Sequence, residues 1–113
     1  MLNTKLHLNK EVFISSPSMK SIRQGFGDEI LDVVKNSKDV YVLSADLGSS
    51  VKLSALMEKY PEKFIQMGVA EQNMAGVAAG MALSGKIPFI TSYAIWNPGR
   101  DWEQIRLAIC TSN

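Results

Sequence analysis

From Met19 onward apolar residues recur at every third or fourth position. Met19, Ile22, Phe26, Ile30 and Val33 in "SPSMKSIRQGFGDEILDVVKNSKD" form the stripe of an amphipathic helix. Gly25 and Gly27 lie inside it, each costing on the order of 1 kcal/mol of helix stability relative to alanine, so close packing or a kink is expected there. The period then changes. "VYVLSAD" is a β-branched run with a polar end and predicts a buried strand from Val40 to Ser44. "SSVKLSALMEKYP" predicts a short helix with Ser49 or Ser50 as its cap and Pro61 beyond its end. "KFIQMG" predicts a second strand, and "EQNMAGVAAGMALSG" a helix closed by Gly85. "KIPFITSY" predicts a third strand, in which Pro88 suits a first or edge position. "GRDWEQIRLAICTSN" has Trp102, Ile105 and Ile109 at helical spacing, with Pro98, Gly99 and Asp101 placing the helix start. Residues 1–17 show only weak periodicity and are expected to form an N-terminal arm ahead of a domain spanning 18–113.

Helices thus alternate with strands. Such alternation predicts an α/β fold, a three-layer α/β/α arrangement around a parallel sheet. In open parallel sheets, sites form just past the carboxyl ends of the strands. Three stretches qualify: "SADLGSS", "GVAEQ" and "SYAIWNPGR". They hold the residues with chemical potential: Asp46, Glu71, Tyr93, Trp96 and Arg100.

Composition narrows the possibilities. At 113 residues, with 46% hydrophobic and 20% charged residues, the chain is one ordinary globular domain at most. A net charge of +1 and the lack of any basic cluster argue against nucleic-acid or anionic-lipid binding. One cysteine, Cys110, excludes an internal disulfide framework. The opening "MLNTKLHLNKEVF" lacks the apolar core of a signal peptide. No run approaches the ~18 apolar residues of a membrane span. A cytoplasmic location is therefore expected. His7 is the only histidine and lies in the arm, so a histidine base is not expected. No phosphate loop, dinucleotide glycine fingerprint or metal-ligand cluster is present.

Each candidate has a plain reading beside the functional one. Glu71 could simply complement the helix dipole, worth about 0.3–1 kcal/mol. Against that, it follows a strand directly and is surrounded by Ala70, Ala75, Gly76, Ala78, Ala79, Gly80 and Ala82, which let another backbone approach closely. Gly76 and Gly80 share a helix face, suited either to packing within the domain or to a subunit interface. Asp46, before Gly48, could form an Asp turn bonded to its own backbone. Tyr93 and Trp96 could be core, or could stack on a planar heteroaromatic ligand. Arg100 and Asp101 read most simply as polar residues at a helix start.

The combination "SADLGSS", "GVAEQNMAGVAAGMALSGKIPF" and "SYAIWNPGRDWEQIR" resembles the pyrimidine-binding domain of transketolases, above all that of the carboxy-terminal subunit of two-subunit forms. The resemblance covers roughly residues 18–113 and implies thiamine diphosphate as cofactor. It implies that Glu71 contacts the aminopyrimidine ring nitrogen and favours the imino tautomer, which takes the proton from the thiazolium carbon. A two-carbon ketol unit would then move between sugar phosphates. Tyr93 and Trp96 fall where family aromatics line the pyrimidine pocket, and Asp46 on a site-proximal aspartate. The resemblance further implies magnesium or calcium held by a partner's diphosphate-binding subunit or domain, no metal ligand in this chain, and a glycine–alanine face buried at a dimer interface.

Two positions depart from the family pattern: Trp96 is bulkier than the expected phenylalanine, and Asn97-Pro98 stands where small residues are usual. The chain also ends at "LAICTSN", where family domains continue through further strands, a substrate-contacting histidine and a separate carboxy-terminal domain. The expectation is half of one cofactor site: a chain inactive alone that self-associates or needs a homo- or hetero-oligomeric partner. Two rival expectations are a catalytically silent assembly module or remnant, and a 1-deoxyxylulose-5-phosphate synthase-like enzyme, whose related motif also contains "AEQ".

Overall fold

A computed structural model of the protein describes residues 16–112; the arm's first fifteen residues, and His7 with them, lie outside the described residues. The elements run α1 (Ile22–Asn36), β1 (Val40–Ser44), α2 (Ser54–Lys59), a short 3-10 turn (Pro61–Lys63), β2 (Phe64–Gln66), α3 (Glu71–Leu83), β3 (Ile87–Thr91) and α4 (Trp102–Gln104), which continues as a wider π-helical segment over Ile105–Cys110. The strands form one parallel sheet in the order β2-β1-β3.

β1 is central and buried from both sides, which is why it reads as a continuous apolar run instead of an alternating one. Val40 and Val42 point to one face, where they meet Ile30 and Val34 of α1, Leu56 of α2, and Val51 and Leu53 of the connecting loop. Leu43 and Ala45 point to the other, against Met74 and Ala78 of α3. Two small cores therefore sandwich one strand, giving the α/β/α layering that the alternation of elements predicts. β3 is an edge strand, consistent with Pro88 near its start.

Two local expectations are corrected, and a third is narrowed. In α1 the buried face is Gly27, Ile30 and Val34, flanked by Phe26 and Leu31. Met19 lies before the helix and Ile22 at its first position, both solvent-exposed, and Val33 is exposed as well. The stripe is rotated because Val34 and Ile30, four apart, point at β1, and Gly27 supplies the closest approach. A Cβ on Gly27 would overlap the carbonyl oxygen of Lys52 and stand 2.8 Å from its Cβ. The expected close packing is real at Gly27 and absent at Gly25, where a Cβ would meet nothing within 4 Å.

α2 begins at Ser54 after Leu53, so neither Ser49 nor Ser50 caps it. Residues 47–53 instead form successive turns, with Val51 N–H donating to Leu47 O at 2.9 Å and Leu53 N–H to Gly48 O at 2.8 Å. Burying Val51 and Leu53 under α1 outweighs the local capping signal. Of the two readings left open for Gly76 and Gly80, packing within the domain is not seen: a Cβ at either meets nothing within 4 Å among the described residues. The buried side of α3 is Glu71, Met74, Ala75, Ala78 and Ala79, leaving the glycine face bare.

Candidate functional site

The chain leaving β1 turns toward α2 on one face of the sheet, whereas α3 lies on the other; after β3 the chain passes Tyr93, packed on the α1-side core, before α4 and its continuation reach α3. The strand ends therefore diverge over β1, which opens the crevice where parallel sheets place their sites. Glu71 lies there as the first residue of α3 and is 1% exposed. A buried carboxylate is tolerated only when hydrogen-bonded or paired. Glu71 is both. Ser92, the residue after β3, donates its hydroxyl to Oε1 at 3.2 Å, and Arg100 donates Nη1 to Oε2 at 2.8 Å.

The loop carrying Arg100 is fixed from several directions. Gln72 Nε2 donates to the Arg100 carbonyl at 3.3 Å, tying that loop to the start of α3. Arg100 N–H donates to Trp96 O at 3.0 Å, and its guanidinium carbon stands 5.8 Å from the Trp96 ring centroid, within cation–π range. Trp96 stacks on Tyr93 with centroids 5.6 Å apart and planes inclined by 20°. Gly99 is obligatory at this turn, since a Cβ there would stand 2.7 Å from the carbonyl carbon of Ile95. A continuous relay of contacts results: Tyr93, Trp96, Arg100, Glu71, Ser92.

Asp46 stands apart from this relay. It follows β1 in the left-handed region, φ 61°, a strained state for a non-glycine residue that asparagine and aspartate tolerate best. Two bonds to Gln66 at the end of β2 hold it there: Asp46 N–H donates to Oε1 at 2.9 Å, and Gln66 Nε2 donates to Oδ1 at 3.3 Å. Its side chain thus bonds across to the neighbouring strand end instead of closing an Asp turn on its own backbone. Exposed, it marks the rim of the crevice on the β2 side.

A groove of about 450 Å³ adjoins the relay, lined by Phe26 and Val51 on one side and by Ile90, Thr91, Ser92 and Tyr93 on the other. Ser92, whose hydroxyl serves Glu71, is among its lining residues. A second cavity, about 150 Å³ between α3 and the C-terminal helix, has no titratable side chain among its lining residues. Among the described residues no cluster of three or more His, Cys, Asp or Glu could hold a metal ion, and no helix is long and apolar enough to cross a membrane.

Arg100 was marked as a strand-end residue but read most simply as a helix-start polar residue, and Ser92 was not singled out. Both reach Glu71 because β3 lies next to β1 in the sheet, a pairing that no local pattern announces. Asp101 is a third unexpected participant: it is fully buried, and both of its oxygens lack hydrogen-bond partners.

Fold and site together define an α/β domain with one buried, hydrogen-bonded carboxylate at diverging strand ends, bordered by stacked aromatics. The family model described as "Transketolase, pyrimidine binding domain" matches residues 18–110. The chain belongs to that family, among the transketolase-type thiamine diphosphate enzymes. It is 42% identical over 87 residues to a "Putative transketolase C-terminal section" of Methanocaldococcus jannaschii, covering 77% of this chain and 28% of that protein. It is 32% identical over 95 residues to one of the subunits of an apulose-4-phosphate transketolase of Phocaeicola vulgatus, covering 84% of this chain and 30% of that protein. Among solved structures, a "Split gene transketolase, inactive beta4 tetramer" superposes with a TM-score of 0.71 at 41% identity, over 80% of this chain and 30% of that one. The chain thus spans less than a third of the length of these relatives.

Proposed function

We propose that the chain supplies the pyrimidine half-site of a transketolase, transferring a two-carbon ketol unit between sugar phosphates together with a diphosphate-binding partner subunit or domain. The carrying observation is Glu71: a carboxylate 1% exposed, at the diverging strand ends, with Ser92 on one oxygen and Arg100 on the other.

The residues present fit an aminopyrimidine. A neutral heteroaromatic ring needs a mostly apolar slot with few, well-placed polar anchors. Glu71 is such an anchor: each carboxylate oxygen accepts one bond within the chain and retains a lone pair for a further donor. Ser92 and Arg100 fix the plane of the carboxylate, so that it is oriented before any ligand arrives. Tyr93 and Trp96 supply the aromatic surface beside it, and Asp46 stands at the rim. Thiamine diphosphate, when bound, supplies the nucleophilic carbon and the electron sink for the transfer. Magnesium or calcium belongs, in this reading, to the partner's diphosphate site.

Calorimetry with thiamine diphosphate and magnesium tests the proposal, on the chain alone and mixed with a diphosphate-binding subunit. Binding confined to the mixture and lost in Glu71→Gln supports it. Binding unchanged by Glu71→Gln refutes the assignment of Glu71.

A second reading, a catalytically silent assembly module, is favoured by the bare Gly76–Gly80 face and by the structural relative, which is described as an inactive tetramer. Oligomerisation without cofactor binding, alone or in the mixture, would select it. The chain is also 30% identical over 103 residues to the 1-deoxy-D-xylulose-5-phosphate synthase of Clostridium perfringens strain SM101. Pyruvate as donor in place of a ketose phosphate would select that chemistry.

A further inference from the structure

Asp101 precedes α4 in the sequence Asp101-Trp102-Glu103-Gln104, with an acid at the cap and an amide three residues on, the spacing of a capping box. The box does not form: Asp101 makes no side-chain cap bond. Asp101 is instead 0% exposed, and its Oδ1 and Oδ2, together with Oε1 of Gln104, are buried without a hydrogen-bond partner. Three acceptor oxygens within one helical turn, with no side-chain donor or cation for any of them, are unfavourable if Asp101 is ionised, because a buried charge is tolerated only when paired. Among the described residues the neighbourhood offers no such pair. Glu71 is a second buried carboxylate, and Arg100 gives its guanidinium to Glu71.

We propose that Asp101 stands in the folded chain as the neutral acid and acts as a positioning residue that leaves the charge of Arg100 wholly to Glu71. An ionised Asp101, next in sequence to Arg100, would compete with Glu71 for the same guanidinium. The charged groups facing it among the described residues are few. From α3 there is Glu71; Arg100, next in sequence, has its guanidinium on Glu71. Glu103 and Arg106, on its own helix and its π-helical continuation, are exposed and pair with each other at 2.7 Å. Burial is the main cause that raises the pKa of Asp101; its own backbone N–H opposes the rise, and the charge of Glu71 adds to it. The proton is taken from solvent on folding. Stability from this group is accordingly full below the unfolded-state pKa and is lost as pH rises through the folded-state value.

Side-chain carboxyl carbon NMR across a pH titration tests this on the intact chain and on Glu71→Gln, with thermal unfolding of Asp101→Asn beside it. The expected result has three parts. Asp101 titrates above the ordinary aspartate value of about 3.9, its midpoint falls in Glu71→Gln, and Asp101→Asn unfolds at the same or a higher temperature than the parent at pH 7, with any advantage shrinking toward pH 3. Titration at or below the ordinary value overturns the proposal. So does a midpoint unmoved by Glu71→Gln, or an Asp101→Asn variant less stable than the parent at pH 7. Neither measurement involves a cofactor, so failure here would leave the thiamine diphosphate reading intact, and failure of that reading would leave this one.

Discussion

Replacing Gly27 by alanine adds one methyl group, and helix propensity alone assigns the change a gain of about 0.8–1 kcal/mol. The structure reverses the sign. The new Cβ would overlap the Lys52 carbonyl oxygen and stand 2.8 Å from the Lys52 Cβ. Lys52 cannot easily give way, because it holds a positive φ of 66° inside the turns that bury Val51 and Leu53. Overpacking of this kind costs about 1–3 kcal/mol. Measured substitutions would include the propensity gain, so the net loss should be up to about 2 kcal/mol, or up to roughly 15 °C in Tm for a domain of this size. Gly25→Ala is the internal control: on the same helix, with nothing within 4 Å of the new methyl, it should gain up to about 1 kcal/mol. Urea unfolding followed by far-UV circular dichroism compares the two directly. A Gly27→Ala variant as stable as Gly25→Ala would refute the claim that α1 is clamped on the Lys52 turn.

Met74→Ala removes a fully buried side chain from the α3-side core and should cost about 2–5 kcal/mol in the same unfolding assay, with Ala75→Gly losing only helix propensity and methyl burial by comparison. The Glu71–Arg100 pair is fully buried on one side and 44% exposed on the other, placing it between surface pairs of about 0–1 kcal/mol and buried ones of about 3–5. A double-mutant cycle with Glu71→Gln and Arg100→Met should therefore give a coupling of about 2 kcal/mol, and a value below about 0.5 would remove Arg100 as the partner that orients Glu71.

The sequence was most informative where burial is two-sided. β1 was recognisable because both faces of Val40–Ser44 are covered, and α3 because its strand-adjacent start and its closing Gly85, φ 82°, are both local signals. The rotation of α1 was not recognisable. A periodic count gives Met19, Ile22 and Val33 the same weight as Ile30, whereas only the position of the sheet decides which of them it covers. The missing cap of α2 has the same origin, since tertiary burial of Val51 and Leu53 overrode Ser49 and Ser50. At the strand ends, Glu71, Tyr93 and Trp96 were singled out from position and residue type. Ser92, Arg100 as a partner, and the orphaned Asp101 depend on which strands are neighbours, and that information is carried by no single segment.

The order β2-β1-β3 has a consequence for how the site comes into being. Ser92 and Arg100 meet Glu71 across 21 and 29 residues of chain, and both do so only after the chain has passed from β2 over β1 to pair β3 with its far edge. Parallel pairings of this kind close long loops before any contact repays the entropy, so they form late. No hairpin or single helix of this chain can hold the carboxylate in place by itself. The Glu71–Arg100 contact is therefore a sensor of completed topology: a collapsed but mispaired chain would bury much the same apolar surface and present no oriented carboxylate at all.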